Sequence, residues 1–187
     1  MRYVCSYVTA PRRVAESGIS MIEVHPGLFI GSQIDYESQV GFEPNWAVIH
    51  ACKEPYHRQA LGYSGRAVSK DHPEYLIARR GDRLILNLID ADNPAYIPDE
   101  IMDASVAFIH DYLNAGQKVL VHCNQGMSRS PGIAMLYLAT HTDRLKRHSF
   151  EQSLIAFREM YPPFSPALGM HGFLCKRWLS WSATSDE

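Results

Sequence analysis

The strand–loop–helix run from Lys118 to Leu138 constrains the fold of this chain more than any other stretch. Lys118-Val119-Leu120-Val121 is β-rich, and Gly132 to Leu138 reads as a buried apolar helix. Between them lies the polar loop His122-Cys123-Asn124-Gln125-Gly126-Met127-Ser128-Arg129-Ser130-Pro131. One cysteine and one arginine are thus held at the two ends of a short loop that opens a helix. Such a loop turns several backbone N–H groups inward and adds the positive end of the helix dipole, which suits a phosphate dianion. The same field favours thiolate over thiol at Cys123.

Each residue type in the loop has a chemical reason. Cys123 is the candidate nucleophile, useful only as thiolate; helix N-termini and nearby cations move a cysteine from about 8.5 into roughly 3.5–7.5. Arg129 can clamp two phosphoryl oxygens with its planar fork, which lysine does less well. Its charge also offsets the charge that develops in phosphoryl transfer. Gly126 permits a tight turn. Ser128 and Ser130 can donate hydrogen bonds, and Ser130 can reach the sulfur as it becomes a leaving group. Pro131 fits the first helical turn, where a missing N–H costs little.

The pattern His-Cys-x5-Arg-Ser resembles the active-site loop of the cysteine-dependent protein tyrosine phosphatases. Its form here, His-Cys-x2-Gly-x-Ser-Arg-Ser, is most similar to the dual-specificity branch, in its compact, atypical type. The resemblance covers about residues 20–180 and is strongest at 84–138. It implies an α/β fold, with a central, mostly parallel sheet flanked by helices. It implies that Cys123 attacks phosphorus, with Arg129 and Ser130 assisting. Asn124, Gln125, Gly126, Met127, Ser128 and Arg129 would surround the phosphate, and His122 would orient the loop by hydrogen bonds without transferring the proton.

A carboxylic acid must also protonate the leaving oxygen, a contribution typically worth about 10²–10⁴-fold. Asn87-Leu88-Ile89-Asp90-Ala91-Asp92-Asn93-Pro94 is a strand end running into a loop and resembles the acid loop of the family. Ungapped alignment through Phe108-Ile109 puts the acid on Asp92, with Asp90 the alternative. Both aspartates could instead cap the turn before the next helix. Arg158 and Tyr161-Pro162-Pro163 resemble the stretch before the family's last helix. The Asn-x-Gly-Phe that often follows is replaced by Pro166-Ala167-Leu168-Gly169-Met170-His171-Gly172-Phe173, so the hydrogen bonds of that Asn must be made otherwise.

The rest of the chain reads as one domain. Its 187 residues, 46% of them hydrophobic, can bury a sizeable core. Residues 1–20 are an irregular extension, 21–181 the catalytic domain and 182–187 a polar tail. Met21-Ile22-Glu23-Val24 and Leu28-Phe29-Ile30-Gly31 flank the turn His25-Pro26-Gly27 and read as a hairpin. Strands are expected at 47–51 and 83–89, and helices at 97–113, 133–139, 149–160 and 170–181. Residues 53–80 show no clear periodicity. With Lys53, Tyr56, Tyr63, Arg66 and Lys70 they are either a recognition surface or a solvated excursion.

The net charge of −2 offers no basic face, so nucleic acid is not an expected partner. No apolar run is long enough to span a bilayer, and no membrane is expected. Cys5, Cys52, Cys123 and Cys175 are widely spaced with no CxxC pair, which suits a reducing compartment and argues against zinc. A cytoplasmic, soluble protein follows as the expectation. Cys52 could form a protective disulfide with Cys123 or be buried as a small apolar side chain. No metal or organic cofactor is expected, because thiolate and loop supply nucleophile and charge stabilisation.

The chain is short and lacks the aromatic recognition loop of tyrosine-only relatives. The resemblance therefore implies a shallow site acting on phosphotyrosine and phosphoserine or phosphothreonine in a phosphorylated protein substrate. Phosphoinositide and inositol-phosphate relatives usually carry lysines in the loop, and Asn124, Gln125, Met127 and Ser128 are uncharged. Phosphoinositides, inositol phosphates or RNA 5′-phosphates stay open as alternative substrates, as does a phosphate-binding pseudoenzyme. Oligomeric state is not readable from the sequence.

Overall fold

A computed structural model describes residues 20–145 and 149–184, with side chains through Ser180. The expected extension at 1–20 lies outside the described residues except for Ser20; of the expected tail at 182–187, residues 182–184 continue the last helix and 185–187 lie outside the described residues. Six strands form one sheet in the order β1-β2-β6-β3-β5-β4. They are β1 (Ile22–His25), β2 (Leu28–Ser32), β3 (Trp46–His50), β4 (Ile77–Arg80), β5 (Arg83–Leu86) and β6 (Lys118–Cys123). The four inner strands β2, β6, β3 and β5 run parallel, and an antiparallel strand closes each edge. The mostly parallel sheet and the leading hairpin thus match expectation.

Strand β6 is buried from Val119 to Cys123, and its alternation assigns its side chains to two different packings. Val119, Val121 and Cys123 enter the main core, shared with α3 (Asp99–Asn114), α4 (Arg129–His141), α5 (Phe150–Met160) and α6 (Leu168–Thr184). Leu120 joins Tyr36, Val40 and Val48 in a small cluster on the other face. Among the described residues that face carries the three-residue α1 (Gln33–Asp35) and two π turns, Tyr36–Val40 and Lys53–His57, the second leading into α2 (Arg58–Leu61). Helices flank the sheet as expected, with the long ones packed on the face of the main core. Each fully buried aliphatic side chain stabilises this core by roughly 1.5–3 kcal/mol.

Local chemistry sets the ends of the elements. Ser149 and Gln152 form a reciprocal capping box at α5, at the expected start of that helix. Asp99 and Glu100 place negative charge in the first turn of α3. Trp178 is buried in the core at 5% exposure, which matches a core-facing terminal helix.

Residues 53–80 are anchored at both ends, while 62–76 between them carry no helix or strand and are exposed or half-buried. His57 is fully buried, between the Tyr63 hydroxyl and the Glu74 carbonyl. Arg58 forms a two-pronged bond to Glu54 and lies 4.8 Å over the Tyr63 ring. The segment ends in the unanticipated edge strand β4, which turns through Gly81 and Asp82 into β5.

Candidate active site

The loop from Cys123 to Arg129 lies at the carboxyl end of the central strand, where parallel sheets present ligand sites. Its shape is keyed to β2. Gly126 has φ +72, and a Cβ there would lie 2.9 Å from the Gly31 carbonyl oxygen. Glycine is required on both counts. Beneath it, buried Asp35 accepts the Ser32 amide and hydroxyl, each at 2.7 Å, and so fixes the strand end on which Gly126 rests. From the other side, the buried Tyr161 hydroxyl donates to the Gly126 carbonyl at 2.8 Å, and the Ser165 amide donates to Met127.

Cys123 is a free thiol at 1% exposure. Burial alone would push its pKa up. The Arg129 guanidinium, the Ser130 hydroxyl and the backbone amides of Ser130 and Gly126 outweigh burial and hold the thiol below its ordinary range. Ser130 Oγ lies 3.3 Å from the sulfur and 3.3 Å from the Gly31 carbonyl oxygen.

Arg129 is 8% exposed. One terminal nitrogen donates to the Leu88 carbonyl at 3.2 Å and the other to Asn124 Oδ1 at 2.8 Å. Its Nε has no hydrogen-bond partner among the described residues and lies 3.9 Å from Asp90. Asn124 also donates to Gln33 Oε1 and the Glu54 carbonyl, joining the loop to both walls of the site. Gln125 is exposed at the tip of the loop.

The two candidate acids occupy different settings. Asp90 accepts the Ser128 hydroxyl at 2.9 Å and is tied to the loop. Asp92 is exposed and has no hydrogen-bond or ion-pair partner among the described residues. Neither aspartate caps the turn before the next helix; Asn93 does, accepting the Ala95 amide at 2.9 Å. Asp90 is tied to Ser128 and lies beside Arg129, whereas Asp92 carries no such tie. Ser128 also accepts the Ala167 amide at 3.1 Å, so backbone and hydroxyl groups tie this helix entry to the loop without an asparagine.

His122 projects to the opposite face of the sheet from Cys123. It stacks on Tyr36 at 4.8 Å, and its Nε2 lies 2.7 Å from His50 Nδ1. Burial, with the neighbouring Arg129 and Arg83, pushes its pKa down to about 3 against a partial offset from the Cys123 backbone. Burial, His122 and Arg83 push His50 down to about 2. Both imidazoles are neutral near neutral pH, as orienting groups would be. His50 was not legible as a partner, because strand order brings it beside His122 from 72 residues away.

Cys52 is a fully buried free thiol pushed up to about 12 by burial, against the Arg129 charge and with a contribution from Cys123. Cys175 is disulfide-bonded, which departs from the expectation of four reduced thiols. Tyr56, one of the residues of a possible recognition surface, stacks on His50 at 4.2 Å. Among the described residues no group of three or more His, Cys, Asp or Glu side chains could hold a metal. No helix among them is long and apolar enough to cross a membrane.

Residues 67–173 match the family model described as "Dual specificity phosphatase, catalytic domain". The mouse dual specificity protein phosphatase 12 is 28% identical over 149 residues, covering 79% of this chain. The chain spans only 38% of that relative's length. Among solved structures, human DUSP28 superposes with a TM-score of 0.60 at 17% identity, covering 89% of this chain and 97% of its own. DUSP15 does so with a TM-score of 0.58 at 21% identity, covering 89% and 92%.

Proposed function

The chain belongs to the dual-specificity phosphatase catalytic-domain family, and on that premise we propose that it hydrolyses phosphotyrosine and phosphoserine or phosphothreonine monoesters in proteins through a cysteinyl-phosphate. The observation that carries the reading is the buried Cys123 thiol, held low by Arg129 and Ser130 against the cost of its burial. A thiol held low against its own burial is the setting a cysteine nucleophile needs.

In the first step the Cys123 sulfur attacks phosphorus and the bond to the ester oxygen breaks. Asp92 gives its proton to that oxygen, which leaves as the free hydroxyl. The loop amides and the Arg129 fork hold the non-bridging oxygens, and the Nε, which has an ion-pair neighbour in Asp90 and no hydrogen-bond partner among the described residues, supports a role as one prong of that fork. In the second step Asp92, now ionised, takes a proton from water as its oxygen attacks phosphorus. The S–P bond breaks, inorganic phosphate departs and the thiolate returns to the Ser130 hydroxyl. Asn124, Gln125, Gly126, Met127 and Ser128 line the phosphate site in this reading, without a cationic side chain for a second phosphate.

The test is hydrolysis of p-nitrophenyl phosphate in EDTA by wild type, Cys123→Ser and Asp92→Asn. Phosphate release is then measured from phosphopeptides, phosphoinositides, inositol phosphates and RNA 5′-phosphates. Metal-independent turnover lost in Cys123→Ser and strongest on phosphopeptides supports the proposal. Preference for a non-protein phosphate replaces its substrate class. Folded, reduced wild type that binds phosphate without turnover is a binding module.

A further inference from the structure

The loop that carries Asp92 rests on a bare helix face. The Gly169 amide, on the first turn of α6, donates to the Ala91 carbonyl at 3.1 Å. A Cβ at Gly169 would lie 2.1 Å from that same carbonyl oxygen and 3.2 Å from the Asn93 carbonyl carbon. One turn on, a Cβ at Gly172 would lie 3.2 Å from the ring of Pro94. No other residue type fits at Gly169 without moving the loop. The contacts bracket Asp92, since Ala91 precedes it and Asn93-Pro94 follow it. Beyond Asp92, Asn93 Oδ1 accepts the Ala95 amide at 2.9 Å and closes the turn Pro94–Tyr96. Before it, Asp90 is tied to Ser128, whose hydroxyl also takes the Ala167 amide at the entry of α6.

We infer that Gly169 and Gly172 are positioning residues for Asp92. The two glycines let α6 carry the acid loop at backbone contact and fix the height of the Asp92 carboxyl above the phosphate loop. The inference rests on Asp92 as the general acid. It predicts a specific defect. Moving the loop outward should spare phosphoryl transfer to the thiolate and impair protonation of the leaving oxygen. Misplacing such a group by about an ångström costs up to about a hundredfold.

The experiment measures kcat/KM for aryl phosphates of rising phenol pKa and for a phosphotyrosyl peptide. The enzymes are wild type, Gly169→Ala, Gly172→Ala, Asp92→Asn and the two double variants that combine each glycine change with Asp92→Asn. Iodoacetate alkylation of Cys123 is followed in parallel. Gly169→Ala should stay near wild type on p-nitrophenyl phosphate and fall about ten- to hundredfold on the peptide. Its alkylation rate should be unchanged, and Asp92→Asn should be made no worse by either glycine change. Gly172→Ala should show the same pattern more weakly, because a proline ring can shift. A uniform loss across leaving groups, or full additivity with Asp92→Asn, overturns the inference. Should Gly169→Ala not fold, the Gly172→Ala cycle decides by the same criteria. If Asp92→Asn itself lacks leaving-group dependence, the acid assignment falls. If only the glycine variants lack it, the acid assignment stands and this inference falls.

Discussion

The Ser128 hydroxyl donates to Asp90 Oδ1 at 2.9 Å, joining the phosphate loop to the strand end from which the acid loop departs. The same oxygen accepts the Ala167 amide at 3.1 Å. One small side chain therefore connects three segments that are distant in sequence. Ser128→Ala should destabilise the protein by about 1–3 kcal/mol, since two hydrogen bonds are lost at a 5%-exposed position. Thermal and urea unfolding would measure the loss.

Asp90 and Asp92 should separate kinetically. Asp90→Asn keeps an acceptor for Ser128 and removes a negative charge 3.9 Å from Arg129 Nε. Its kcat should hold while KM for an aryl phosphate falls a few-fold. Asp92→Asn should lower kcat by about 10²-fold or more on a phosphopeptide. Steady-state kinetics with both substrates decides, and leaving-group dependence in Asp90→Asn would reverse the assignment.

Cys52 and Cys123 are both buried free thiols held in opposite directions. Iodoacetate at pH 6–7 should label Cys123 and spare Cys52, as peptide mass spectrometry would show. Attack of Cys52 on an oxidised Cys123 would need a thiolate that burial disfavours. Ser130→Ala removes the hydroxyl 3.3 Å from the sulfur. The pH midpoint of alkylation should move up, and turnover should slow about ten- to hundredfold, the range for a hydrogen bond to a charged group.

The His50–His122 pair sets an acid limit on stability. In the unfolded chain each imidazole protonates near 6.5, whereas in the fold they are held down to about 2 and about 3. Their neutral burial is without cost above pH 6.5. Stability then drains as pH falls through the interval down to those folded values, because only the unfolded chain takes up the protons. The slope is roughly 1.4 kcal/mol per pH unit for each histidine. Urea midpoints from pH 7 to 5 should fall accordingly. His50→Asn, which can keep a donor toward His122 Nε2, should remove about half of that slope.

Gly126→Ala should abolish activity. The substitution meets a left-handed backbone and a carbonyl oxygen 2.9 Å away, so the loop must leave β2. A penalty of about 1–3 kcal/mol for the backbone strain alone is expected in the unfolding free energy.

What the chain reveals before folding follows the range of the interactions involved. The hairpin turn His25-Pro26-Gly27, the run Lys118 to Leu138 and the cap Ser149 are local signals, and their elements formed where expected. Strand β4 escaped notice because Ile77-Ala78-Arg79-Arg80 turns only Ala78 fully inward and exposes two arginines at the sheet edge. The uneven helix layers were hidden because α1 and the π turns are too short to leave a period. Within the site, Cys123, Arg129 and Ser130 lie in one loop and could be read together. The tie between Ser128 and Asp90, the His50 partner and the Gly169 contact join residues 38, 72 and 78 positions apart, which only the sheet order and the packing of α6 bring together.

The packing of Gly126 against Gly31, with Asp35 below and Tyr161 behind, has a consequence in time. A loop braced on three sides has little rearranging left to do when a phosphate arrives. Its inward amides are ordered once per molecule, as the chain folds, and not once per catalytic cycle. On the proposed function, assembling the anion site thus belongs to the biography of the protein, and each turnover would begin with that step already complete.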